Sequence, residues 1–247
     1  LDYTPSENGT REVRIYNNSA GDNITVTWPV AVNQFPDVIA TNSASSGVTR
    51  IATGPAHSCV VVDNGTNLKV GDNSSIPGGT NGAIYCWGLN DQHQLGNNNA
   101  GTDNQSSPVL VDNVTLTHPV SVTAADNFTC SLDNNSAVAC WGTGLPVLTN
   151  FGSAVQIDAG GDSLCGVLDN GSLKCSGSLS GTPTTGAYQQ VSVGGSSSNP
   201  IACAVADNGS LECWGNSSNQ VIIQYNPLPL DNVSQVSVGD NHACAVL

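Results

Sequence analysis

Three pairs of cysteines, each enclosing nine residues around an Asn-rich turn, constrain this chain more than any other feature. They lie in Cys130-SLDNNSAVA-Cys140, Cys165-GVLDNGSLK-Cys175 and Cys203-AVADNGSLE-Cys213. In the second, Leu168 and Ser172 close a three-residue hairpin loop over Asp169-Asn170-Gly171. Gly171 supplies the left-handed backbone that such loops require. Three steps outward along each arm bring Cys165 opposite Cys175. Opposed residues of antiparallel strands lie about 4.5–5.5 Å apart at Cα, within reach of a disulfide. The same count pairs Cys130 with Cys140 about Asn135, and Cys203 with Cys213 about Asn208.

The hairpins belong to a longer repeat. Each first cysteine follows a strand-like segment: VTRIATGPAHSC, PVSVTAADNFTC, VQIDAGGDSLC, QQVSVGGSSSNPIAC and VSQVSVGDNHAC. Short alternating runs broken by Gly, Asn, Asp and Ser are strand and turn signals, so the chain is all-β. The units fall at about 47–118, 119–153, 154–187 and 188–232, with a half repeat at 233–247. Cys59 to Cys86 is a fourth pair, assigned by its place in the repeat, with a Gly-, Asn- and Ser-rich insertion looping out at the turn. Cys244 starts a fifth unit and is left unpaired.

Composition sets the environment. Nine cysteines in a chain this long are not needed merely to build a core, so they point to an oxidising, extracellular compartment. The chain has no Met, and Leu1 reads as the new end left after a secretory signal is removed. Sequons add to this: Asn8, Asn17, Asn23, Asn64, Asn73, Asn104, Asn113, Asn127, Asn134, Asn170, Asn208, Asn216 and Asn232 each begin an Asn-x-Ser/Thr triplet. Chance placement among these residues predicts about five, so the 13 sites read as N-glycosylation acceptors. A formal charge of −14 excludes nucleic acid, whose phosphates demand basic side chains, and opposes docking on an anionic membrane. No apolar run is long enough to insert in a bilayer.

Site chemistry is sparse. Cys-x-x-Cys pairs are absent, and His57-x-Cys59 and His242-x-Cys244 are lone steps at one repeat position, so no metal is expected. The four His and the scattered carboxylates form no nucleophile elbow, zincin motif or phosphate loop, so no catalytic residue and no cofactor is expected. The segments 69–83 and 94–109 break the repeat and are the expected contact loops.

The segment CWGLNDQHQLG at 86–96 resembles the signature of the regulator-of-chromosome-condensation repeat, CWGxNxxGQLG, with His93 standing at its Gly. Cys140-Trp141-Gly142 and Cys213-Trp214-Gly215 match its first half, and Cys175-Ser176-Gly177 has lost the Trp. Val236–Val246 matches the upstream VSVGxxHxCAV. The resemblance spans about 47–247 and implies a β-propeller of small antiparallel blades, usually seven, serving as a protein-binding platform. Acidity and paired cysteines mark a secreted, disulfide-containing variant. The repeats number too few for seven blades, so the ring is incomplete or is closed by strands of residues 1–46. That segment contains two expected strands, Glu12–Tyr16 and Asn23–Val30, which complete a blade in cis or in a neighbouring subunit. The expected function is therefore a non-enzymatic protomer of an extracellular fibril or surface assembly, self-associating head to tail. The alternative is a monomeric secreted propeller that binds another extracellular protein or a glycan.

Overall fold

The structure, a computed structural model, describes residues 14–17, 23–27, 38–41, 48–62, 67–69, 75–76, 82–98, 101–114, 117–144, 151–216 and 231–247. Residues 14–17, 23–27, 38–41, 48–49, 67–69 and 75–76 are described by backbone alone. All regular structure among the described residues is β.

Three strands precede the repeat: β1 (Arg14–Asn17), β2 (Asn23–Thr27) and β3 (Val38–Thr41). The first blade contains β4 (Val48–Thr53) and β5 (His57–Val62), the insertion strands β6 (Asn67–Lys69) and β7 (Ser75–Ile76), then β8 (Ala83–Gly88) and β9 (Gln105–Leu110). The second has β10 (Pro119–Ala124), β11 (Phe128–Asp133) and β12 (Val138–Gly142). The third has β13 (Ala154–Gly160), β14 (Ser163–Leu168) and β15 (Leu173–Ser176). The fourth has β16 (Tyr188–Gly194), β17 (Ile201–Ala206) and β18 (Leu211–Gly215), and the last only β19 (Gln235–Val238) and β20 (Ala243–Val246). Blade sheets are thus ordered β4-β5-β8-β9, β10-β11-β12, β13-β14-β15, β16-β17-β18 and β19-β20. All ladders are antiparallel.

The hairpin turns explain the register. Leu168 N–H donates to Ser172 O and Gly171 N–H to Leu168 O, both at 2.9 Å, with Gly171 at φ +79°. Asn170 Oδ1 accepts from Ser172 N–H and from its hydroxyl, an Asx turn that locks the loop. Residues 206–210 repeat this geometry. At the second blade Ser136 takes the left-handed place, and Asp133 Oδ1 accepts from Asn135 and Ala137 N–H. From these turns Cys165 faces Cys175, Cys130 faces Cys140 and Cys203 faces Cys213, with Cys59 facing Cys86 in the first blade. Each pair is bonded, with Cα atoms 4.0–4.1 Å apart.

Most of the core lies between blades, and one cluster, Val60, Val62, Ala83, Tyr85 and Trp87, lies within the first. Cys59, Val61, Ile84, Cys86 and Leu95 of the first blade pack on Val122 and Trp141 of the second. Phe128, Cys130 and Leu132 pack on Phe151, Ile157 and Leu164, and the pattern repeats at the next two junctions. The disulfides therefore sit inside these junctions, where the sulfur atoms serve as apolar filling.

The N-terminal strands join the insertion of the first blade. β1 pairs with β2 and β2 with β3, but β3 pairs with β6, giving a sheet ordered β1-β2-β3-β6-β7. Among the described residues they do not pair with β19 or β20. The insertion offers an unpaired strand nearby in sequence, which closes a far shorter loop than β19 or β20 would. The insertion between Cys59 and Cys86 is thus partly strand, not only loop.

Candidate functional site

The inner strand of each blade, β4, β10, β13, β16 and β19, sits beside that of the next. Each carries one residue opposite the first cysteine of its hairpin: Ala52, Thr123, Asp158, Ser192 and Ser237. Three of these side chains cap the neighbouring strand. Thr123 Oγ1 accepts Ala159 N–H at 2.9 Å, Asp158 Oδ2 accepts Val193 N–H at 2.9 Å, and Ser192 Oγ accepts Val238 N–H at 3.1 Å. Two residues earlier a glutamine makes a second cap. Gln156 grips the N–H and C=O of Val191, and Gln190 grips those of Val236, at 2.8–2.9 Å. A register shift just before each glutamine, between Ala154 and Gln156 and between Tyr188 and Gln190, re-aims the side chain across the junction.

Asp158 is the most demanding of these groups. It also accepts from the Thr123 and Ser192 hydroxyls. Burial raises its pKa, and the hydrogen bonds only partly offset that. Behind it, Gly194 allows close approach: a Cβ there would stand 2.6 Å from Gly239 O. The loops that follow the inner strands bring Asp126, Asp162 and Asp240 near one another. Asp126 is raised first by burial and then by the Asp240 charge. Asp162 accepts from the hydroxyls of Ser163 and Ser178. Among the described residues no three His, Cys, Asp or Glu side chains converge as a cation site would need.

A buried polar node joins the first two blades. Thr129 Oγ1 donates its one proton to Gln94 O at 2.8 Å, so it must accept from His57 Nε2, also at 2.8 Å. His57 is therefore the Nε2–H tautomer, and its Nδ1 is buried without a partner. Trp141 Nε1 donates to the same carbonyl, at 2.9 Å. Burial lowers the His57 pKa to about 4. A lowered histidine contributes stability above its ordinary pKa near 6.5 and loses it as pH falls toward 4. We expect His57 to cost about 3 kcal/mol over that window, read as a falling melting temperature. Asp126 and Asp158 act with the opposite sign, since their raised pKa values favour the acid side. His57→Phe should flatten the loss between pH 6.5 and 4; an unchanged slope would show that another group carries it.

Of the expected glycan acceptors, Asn104, Asn113, Asn127, Asn134, Asn170, Asn208 and Asn232 are exposed and Asn216 is half-buried. The side chains of Asn8, Asn17, Asn23, Asn64 and Asn73 lie outside the described residues. Cys244 is exposed and free. The expected contact loop 94–109 is only partly a surface: Gln94 and Leu95 are fully buried, and Asn90 beside them turns its amide inward to Leu95 N–H and Gly101 O. The inter-blade glutamine caps were not expected, although Gln156, Gln190 and Gln235 recur at one place in the repeat.

The family description that matches is the regulator of chromosome condensation (RCC1) repeat, over residues 81–132. This is the stretch in which the CWGLNDQHQLG turn sits against Thr129 and leads into the second blade. The chain carries this repeat and has the propeller fold of its family. Yeast RCC1 (Prp20), solved with Kap60, superposes with a TM-score of 0.60 at 13% identity, over 92% of this chain and 66% of that one. Human WBSCR16 gives 0.59 at 16%, over 84% and 62%. The ectodomain of the Arabidopsis thaliana receptor kinase ACR4 gives 0.52 at 20%, over 85% and 72%. The chain thus spans less than two thirds of the human and yeast proteins' length. No curated protein sequence matches it. Four disulfides fit an extracellular protein. His93, at the repeat's Gly, has φ +61°, which shows why a glycine is usual there.

Proposed function

We propose that the chain is a secreted, N-glycosylated, non-enzymatic structural protein, a protomer of an extracellular fibril or surface assembly joined by strand complementation. The observation behind this is the extra sheet β1-β2-β3-β6-β7, which lies outside the blade sheets and whose strand β1 pairs on one side only among the described residues. An uncovered edge of this kind is an aggregation hazard unless a partner fills it. A strand from a neighbouring copy fits such an edge. Of the exposed sequons, Asn134, Asn170 and Asn208 stand in the hairpin turns, facing solvent.

Deleting residues 1–30 should abolish polymers in an electron micrograph while the blades still fold. Polymers of undiminished length after that deletion would remove strand complementation by this segment. Loss of mass on treatment with a peptide N-glycosidase should accompany secretion from a eukaryotic host; an unchanged mass would remove the glycan.

A second reading, a monomeric secreted binding module, has its own observation. Asp126, Asp162 and Asp240 gather on one face, which suits a basic protein partner. Yeast Prp20p has binding properties toward Gsp1p and histones. A chain that stays monomeric and captures a basic polypeptide with salt-sensitive affinity would favour this reading; retention unaffected by salt would count against it.

A further inference from the structure

Strand β15 leaves the third blade with an open outer edge, although the corresponding edge of the first blade is covered. In the third hairpin Leu168 N–H donates to Ser172 O. By the alternation of an antiparallel ladder, Lys174 and Ser176 then turn their N–H and C=O groups toward β14. Leu173 and Cys175 turn theirs outward, where nothing receives them among the described residues. The chain does not double back beside them. Leu179 N–H donates to Ser163 Oγ at 3.1 Å and its side chain packs with Trp214, so residues 177–187 cross to the fourth blade. In the first blade Ile84 and Cys86 hold the places of Leu173 and Cys175, and β9 lies along them. There Val111 N–H donates to Ile84 O at 2.9 Å, and Val109 stands opposite Cys86. Covered in this way, Ile84 is 3% exposed and Cys86 0%, whereas Leu173 and Cys175 are half-buried.

We propose that the outer edge of β15 is a docking site for an extended segment of another protein, added as a fourth strand. The segment carries β-branched apolar residues at the places of Val109 and Val111, with an acidic residue between them. The apolar pair follows from β9 and the residue after it. Val109 and Val111 close over Cys86 and Ile84 at the first junction, and Cys175 and Leu173 offer the same flank at the third. The acid follows from Lys174, which holds the place of Tyr85, the residue opposite Leu110. Lys174 is the one Lys or Arg on β8, β12, β15 and β18, and it makes no ion pair among the described residues. An opposite charge directly across the strands is the favoured partner for it. Main-chain bonds to Leu173 and Cys175 supply the affinity, and the side chains choose the sequence. The site lies in mid-chain and does not depend on the assembly proposed above.

The probe is a synthetic, fluorophore-labelled peptide of residues 105–114 carrying Leu110→Glu, titrated with the full chain by anisotropy. It should bind saturably, about fivefold more tightly than the same peptide carrying Leu110→Lys. Lys174→Glu in the protein should invert that preference. Lys174 stands opposite Gly166 on the edge, so the variant should melt with the parent chain. Methylating the peptide nitrogen at Val111 removes the donor to Leu173 O and should cost about tenfold in affinity. Failure of the peptide to bind, or equal affinity of the methylated and unmodified peptides, would overturn strand addition. A preference unchanged by Lys174→Glu would overturn the placement on β15. Dimers of the full chain that form without peptide and are lost in Lys174→Glu would give the edge to a second copy, and would overturn the proposed occupant.

Discussion

Full reduction is expected to unfold the protein. A disulfide closing a hairpin of ten residues' separation contributes about 3 kcal/mol, and the Cys59–Cys86 bridge, closing a longer loop, somewhat more. Together they amount to about 12 kcal/mol, comparable with the whole 5–15 kcal/mol by which domains are typically stable. Replacing Cys165 and Cys175 together by serine isolates one bridge and should cost ~3 kcal/mol, read as a shift in the denaturant midpoint. The double replacement avoids leaving a thiol that could exchange with the exposed Cys244. Equal stability in oxidising and reducing buffer would show that the bridges do not hold the hairpins.

The second large effect falls on tryptophan. Trp141 is buried against Cys59, Cys86 and Leu95 of the preceding blade and donates its indole N–H to Gln94 O. Trp141→Ala should cost ~3–5 kcal/mol, since it opens the junction between the first two blades. Trp214 fills the same place between the third and fourth blades, packing with Cys165 and Val167. Its N–H, however, is buried without a partner. Trp214→Phe should therefore cost less than Trp141→Phe, which also deprives the Gln94 carbonyl of a donor. Equal losses from the two phenylalanine variants in denaturant melts would contradict the assigned hydrogen bond.

The hairpins were legible because local chemistry sets them. Asp-Asn-Gly fixes the loop length, loop length fixes the register, and register places the cysteines. The propeller class was legible from the CWG and QLG residues, which meet at the junction between blades: Trp141 lies so close over Gly96 that a Cβ there would stand 2.6 Å from its Nε1. The N-terminal sheet was not legible, because the partner of β3 is a short strand within an insertion that carries no repeat signal. The segment 94–109 misled by its polar residues: Gln94 reads as surface yet is buried, as is Asn90 just ahead of the segment, whose amide pairs with Leu95 N–H and Gly101 O. The inter-blade caps left a trace, a glutamine two residues ahead of an Asp or Ser in the third, fourth and fifth units. That trace acquires meaning only when the bulge and the free strand edge are seen together.

An electron micrograph of the purified full chain, at concentrations bracketing the onset of assembly, tests the central claim most directly. Strand complementation through the one-sided β1 edge of the extra sheet predicts fibres or continuous coats of one repeating subunit. Isolated, dispersed particles at every concentration would contradict it.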